Sequence, residues 1–185
     1  MRTILTAGAL AVATTALGAD LAAAGARDFI ADLARVREFV RADAGGQAKF
    51  RLSGDGRELR YELTVENLEA FTQAHIHLTP EAVIRDTLPR RFRKTSPKRE
   101  HGPIVVILTD FIRGGIAVDG VLAKGVIRQA DLVGPLKGHP LSLLIEFMEE
   151  RDAYVALHVL KPIAPGHVFC CPVGLRGIVR AERSQ

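Results

Sequence analysis

The chain contains no tryptophan and only two tyrosines. Proteins that grip nucleic acid by stacking need several aromatic platforms, so this scarcity argues against nucleic-acid binding. Cysteine is as sparse: the only two, Cys170 and Cys171, are neighbours in the chain. Ordinary disulfides join Cα atoms farther apart than adjacent residues allow, so this pair is no ordinary fold staple. A vicinal disulfide, an intermolecular bond, a soft-metal thiolate pair and two part-buried thiols in a loop all stay open. No apolar run beyond the N-terminal segment is long enough to span a bilayer, so the mature chain has no transmembrane span. Nucleophile elbows, phosphate loops and the H-E-x-x-H zinc motif are all missing. Ser53, Ser96, Ser142 and Ser184 lack a nucleophile's surroundings, and no carboxylate pair suited to acid–base work is recognisable. Gly54-Asp55-Gly56 is too short for a calcium loop and reads as a turn. The balance leans away from an enzyme.

What is present begins with a targeting pattern. Met1-Arg2 gives a short positive start, Thr3 to Ala19 is apolar or small, and Ala24-Gly25-Ala26 fits a cleavage site. We read 1–26 as a secretory signal peptide and 27–185 as one domain, periplasmic or extracellular. Ala22-Ala23-Ala24 is a close alternative for cleavage. The formal net charge is +4, and removal of Arg2 and Asp20 leaves it unchanged. Basic residues gather in a long loop at 79–102, at Arg90, Arg91, Arg93, Lys94, Lys98 and Arg99, with a second group at Arg176, Arg180 and Arg183. The loop patch is a candidate site for an anionic envelope polymer, against the plainer reading of a solvated mobile loop.

Local patterning is mostly of period two. Arg27 to Asp43 is the exception, with Phe29, Ile30, Leu33, Val36, Phe39 and Val40 at helical spacing. From there Ala48, Phe50 and Leu52 alternate with charged residues, Ser53-Gly54-Asp55-Gly56 turns, and Leu59, Tyr61, Leu63 and Val65 alternate again. This predicts a β-hairpin with one buried face. Glu66 to Glu69 reads as a turn, followed by strands at Phe71–Leu78, Pro103–Leu108, Ile116–Val121, Gly125–Arg128, Ala153–Leu160 and Leu175–Ala181. Leu141, Leu144, Ile145 and Met148 predict a short helix near 141–150, and Pro162 to Pro172 reads as irregular.

The histidines stand out against this background. In Ala74-His75-Ile76-His77-Leu78 the two imidazoles share one strand face and the apolar residues share the other. In Tyr154 to Val159 the same parity puts His158 opposite Val155, Leu157 and Val159. All three rings are therefore expected outside the core, near the surface, and able to converge if the strands are neighbours. Imidazole nitrogen suits copper or zinc, and three ligands leave one coordination position open. His101 is the candidate fourth ligand; His139 and His167, in loops, carry less weight. The competing reading is that these rings only hold loops down by hydrogen bonds.

Taken in order, several segments resemble the CHRD (chordin) domain family. They are Gly46–Leu52 with Leu59–Leu68, then Thr72–His77 with His101–Leu108, Asp131–Leu136, Ala153–His158 and Leu175–Ile178. The resemblance implies an all-β, immunoglobulin-like or superoxide-dismutase-like Greek-key sandwich or barrel, and a first strand at Phe29–Leu33 in place of the helix. The chain departs from the family pattern at Ala156 and Val159, where Asn and Thr flank the late histidine, and at Leu175, where the family has Glu. Lost polar neighbours would weaken support for His158. Three functions follow as expectations. The first is a non-enzymatic exported binding or envelope-associated module, its partner an envelope polymer or another exported protein. The second is a copper or zinc protein using His75, His77 and His158, with superoxide-dismutase-like redox activity as a variant. The third is a polymer binder acting through the basic loop.

Overall fold

The architecture comes from a computed structural model that describes residues 27–80, 82 and 101–182. Residues 1–26, where a signal peptide is expected, the basic run Arg90 to Arg99 and Arg183 lie outside the described residues.

Among those residues ten strands form: β1 (Arg27–Arg35), β2 (Gly45–Leu52), β3 (Leu59–Leu78), β4 (Ile104–Ile107), β5 (Ile116–Ile127), β6 (Ala153–Val159), β7 (Lys161–Ala164), β8 (His167–Phe169), β9 (Val173–Ile178) and β10 (Arg180–Ala181). Two 3-10 turns, Gln129–Asp131 and Gly134–Leu136, lead into an α-helix, α1, at Leu141–Glu149. Strand pairing runs β1–β2–β3–β6–β9 and returns to β1, because β1 also pairs with β9. Every pairing is antiparallel, so the sheet closes on itself as a barrel. Closure removes free edges from the circuit. The all-β fold with one short helix is what the sequence predicts.

The local helical spacing at the start does not survive. Phe29, Ala31 and Leu33 are buried at period two in β1, while Val36 and Phe39, which a helix would have turned inward, are exposed. Pairing with β2 along Arg27 to Ala34 outweighs the local pattern.

β3 is the spine. It is one strand of 20 residues, where the sequence suggested two strands joined by a turn at Glu66 to Glu69. Asn67 and Ala70 take positive φ, 51° and 54°, and the pairing register shifts around them. These bulges kink the strand without ending it. Gly115 lies against the second kink; a Cβ there would sit 2.9 Å from the Ala70 carbonyl oxygen, and its φ of +67° suits glycine alone. The first half of β3 pairs with β2 and β5, the second with β6 and β4.

Two further expectations change. The strands expected at Ile116–Val121 and Gly125–Arg128 merge into one, β5, which ends at Ile127. The segment Pro162 to Pro172 contains a hairpin, β7–β8, in place of irregular chain. α1 buries Leu141, Leu144, Ile145, Phe147 and Met148 against the barrel end beside β6 and β10. Burial of such side chains contributes about 1.5–3 kcal/mol each.

Candidate metal centre

β3 and β6 run side by side, and each is sealed against the barrel core on one face. Ala74, Ile76 and Leu78 of β3 and Ala153, Val155 and Leu157 of β6 are fully buried there. Alternation sends His75, His77, Tyr154, Ala156 and His158 to the reverse face. Register decides who meets whom. His75 pairs with Ala156 and His77 with Tyr154, so His158 stands on the diagonal from His75. The ring centroids are 5.6 Å apart for His75 and His77, 5.1 Å for His75 and His158, and 5.8 Å for His77 and His158. One ring nitrogen from each falls within 4.8 Å of the others.

The expected parity is correct, but the expected exposure is not. His75, His77 and His158 are only 5%, 3% and 7% exposed. The barrel carries a second, small buried cluster on this face, made by Tyr154, Ala156 and Val173 with Ile178 packed against it. Parity reports only which side of one sheet a residue occupies; it says nothing of a layer laid over that side by remote loops.

Two of those loops hold the rings. The Nδ1–H of His77 donates to the Gly102 carbonyl at 2.8 Å, and the Nδ1–H of His158 donates to the Cys171 carbonyl at 2.7 Å. A carbonyl only accepts, so each Nδ1 carries the proton and each Nε2 keeps its lone pair when the ring is neutral. Both Nε2 atoms are buried without a protein partner, as is Nδ1 of His75. Leaving such a group buried and unsatisfied costs about 1–3 kcal/mol. Burial is also the main force on protonation. It pulls His75 down to about 4 and His77 to about 3, with the neighbouring imidazoles adding repulsion. His158 is lowered for the same first reason, opposed by its hydrogen bond to Cys171. At neutral pH the site therefore presents three uncharged rings, each with one nitrogen lone pair, gathered at one place.

This donor set fits a metal ion. Nitrogen–metal distances of ~2.0–2.1 Å place ligand nitrogens roughly 3.3 Å apart in a tetrahedral site, so binding would draw the rings somewhat closer. His101 stands apart, its ring edge-on to His158 at 6.5 Å, and it is not among the residues gathered here. His139 lies before α1 and His167 is exposed on β8.

Four contributors were not predicted from the sequence. Gly102 and Cys171 act through backbone carbonyls, which residue type does not advertise. A Cβ on Gly102 would collide with the Leu78 carbonyl, so glycine lets the loop come this close. Tyr154 stacks on His77 with 5.1 Å between centroids and 14° between planes, and its hydroxyl accepts from the Gly102 N–H at 3.2 Å. Arg176 places its guanidinium 3.9 Å from the centre of the Tyr154 ring. Tyr154 shares parity with His158, which was the one available signal. The departures at Ala156 and Val159 leave this support intact, because the peptide backbone supplies it. The sulfurs of Cys170 and Cys171 meet as a vicinal pair, with Cys170 exposed and Cys171 partly so.

Comparison with known proteins adds a family. The family model described as CHRD domain matches residues 29–161, which span the barrel from β1 to the start of β7 and include all three clustered histidines. No curated protein matches the chain.

Proposed function

From the premise that this chain belongs to the CHRD domain family, we propose that it is a non-enzymatic exported module that binds one copper or zinc ion through His75, His77 and His158. The observation that carries this reading is a set of three buried, neutral imidazoles that each bring a ring nitrogen to within 4.8 Å of the others, together with the unpartnered buried nitrogens His75 Nδ1, His77 Nε2 and His158 Nε2. A role in pinning loops accounts for Nδ1 of His77 and of His158, since each grips a carbonyl. It leaves the Nε2 atoms and Nδ1 of His75 without a purpose. Those atoms point to a cation.

His77 and His158 would coordinate through Nε2, with their Nδ1–H bonds fixing ring orientation and raising ligand basicity. His75 would supply the third nitrogen. Three protein ligands leave room for water or a partner's ligand. Export follows from the N-terminal pattern and would put the site where copper and zinc are met outside the cytoplasm.

The test is metal uptake by the purified protein, followed by calorimetry and metal analysis after dialysis. One equivalent of zinc or copper is expected in the wild type and none in His77→Ala. A wild-type protein that retains neither metal refutes the proposal.

A further inference from the structure

The Cys170–Cys171 pair sits where it can act on the metal centre. Its second residue supplies the carbonyl that holds His158 by Nδ1, at 2.7 Å. The next residue continues the link, since the Val159 N–H donates to the Pro172 carbonyl at 3.0 Å. Val173 is then paired with His158 in the β6–β9 ladder. Residues 171–173 are thus fastened to 158–159 at successive positions. On the other side the pair is joined to the exposed β7–β8 hairpin, and Cys170 is open to solvent. One thiol position faces outward while its neighbour touches the site.

We propose that Cys170 and Cys171 form a redox-active pair that controls how firmly His158 is held, and so the affinity of the metal centre. This rests on the metal-binding reading above. A bond between the sulfurs closes a small ring that includes the peptide joining the two residues. That ring restrains φ of Cys171, the torsion leading to its carbonyl, and so narrows the positions the carbonyl can take, whereas two free thiols leave that torsion to the loop. The reductant is a dithiol. Its thiolate attacks the exposed Cys170 sulfur, the S–S bond breaks, and Cys171 leaves as a thiolate that takes up a proton. The second thiol of the reductant then displaces Cys170, which is protonated in turn. The pair gains two electrons and two protons, and the reductant leaves as its own disulfide. The acceptor of His158 is then held less firmly, and disturbing such a partner typically weakens metal binding about 10–100-fold.

The experiment compares two redox states of the purified protein. One sample is kept oxidised. The other is treated with dithiothreitol and desalted without oxygen, and alkylation with mass analysis establishes each state. Zinc, which is redox-inert, is the probe for calorimetry; nitrogen NMR of the histidine rings in metal-free protein is the second readout. We expect zinc affinity at least ~10-fold weaker in the reduced protein, and a changed His158 ring signal with His75 and His77 less affected. Cys170→Ser with Cys171→Ser should match the reduced protein and ignore dithiothreitol. Equal zinc affinity in both states overturns the inference and leaves the metal centre standing. Tighter binding on reduction also overturns it, because the thiols would then be ligands themselves. If neither state binds zinc or copper, the metal reading falls and control of affinity falls with it; an altered His158 signal then shows coupling to the thiols alone. Free thiols in the untreated, air-exposed protein refute the pair outright.

Discussion

Two stretches of the same barrel carry polar side chains away from the core, and they treat them in opposite ways. On β1 and β2 the outward groups are solvated and paired. Asp28 receives two hydrogen bonds from Arg51, at 2.7 and 2.8 Å. Asp32 accepts from Gln47 at 2.9 Å and from Arg180 at 2.6 Å. On β3 and β6 the outward groups are imidazoles, covered by a second layer and unpartnered at their inner nitrogens. The first face meets its electrostatic needs with water and opposite charge. The second cannot, and keeps lone pairs buried at a cost to stability. A barrel that solves the problem cheaply on one side and leaves it unsolved on another is pointing to a ligand.

The sharpest way to break this contrast is to remove one ring. His77→Ala should abolish zinc or copper binding by calorimetry, whereas Asp28→Asn should leave it unchanged. Equal effects would erase the distinction between the faces.

Metal should stabilise the protein next most strongly. A ligand at a hundredfold excess over Kd adds ~2.7 kcal/mol to unfolding free energy. A rise in Tm with zinc, reversed by a chelator, is expected in the wild type and absent in His77→Ala.

Acid should weaken the metal-free protein through the buried face. The folded-state values of His75 and His77 lie at about 4 and about 3, below the 6.5 of a free imidazole. The unfolded chain therefore takes up protons first. Stability from these rings is full above roughly pH 6.5 and is lost progressively as pH falls toward 4 and below. Denaturant titrations between pH 7 and 4 should show the decline, and replacing His75 and His77 with Gln should flatten it.

The smallest effect belongs to the solvated face. Arg51 is 67% exposed at its side chain, so Arg51→Ala should lower stability only slightly, and less in high salt. A larger, salt-insensitive loss would mean that the ion pairs share in holding the barrel closed. Asp28 is lowered chiefly by its hydrogen bond to Arg51, so that substitution should also raise the Asp28 carboxyl toward its ordinary range.

Much of this was legible before any coordinates. The hairpin of β2 and β3 follows from alternation at Ala48, Phe50, Leu52, Leu59, Leu63 and Val65, all of which face the core. The common face of His75 and His77 follows from the same rule. What local pattern does not carry is distance across the chain. Convergence with His158 depends on the β3–β6 register, which carries a shift between Phe71 and Gln73 that no local pattern in the sequence announces. The hydrogen bonds that hold His77 and His158 come from Gly102 and Cys171, through atoms every residue possesses. The apparent helix at Arg27 to Asp43 failed for a related reason: its spacing is a short-range property, and β1 is decided by three partner strands, β2 nearby and β9 and β10 from the far end of the chain.

That last pairing sets an order of assembly. β9 seals the barrel against β1, and it starts two positions after the residue whose carbonyl orients His158. Contacts between such distant parts of a sequence form late in folding. A chain emerging N-terminus first would thus hold two of its imidazoles on a finished strand long before the third is properly aimed. Ion capture would be postponed until the circuit of strands has closed, so that a loaded protein is also a completed one.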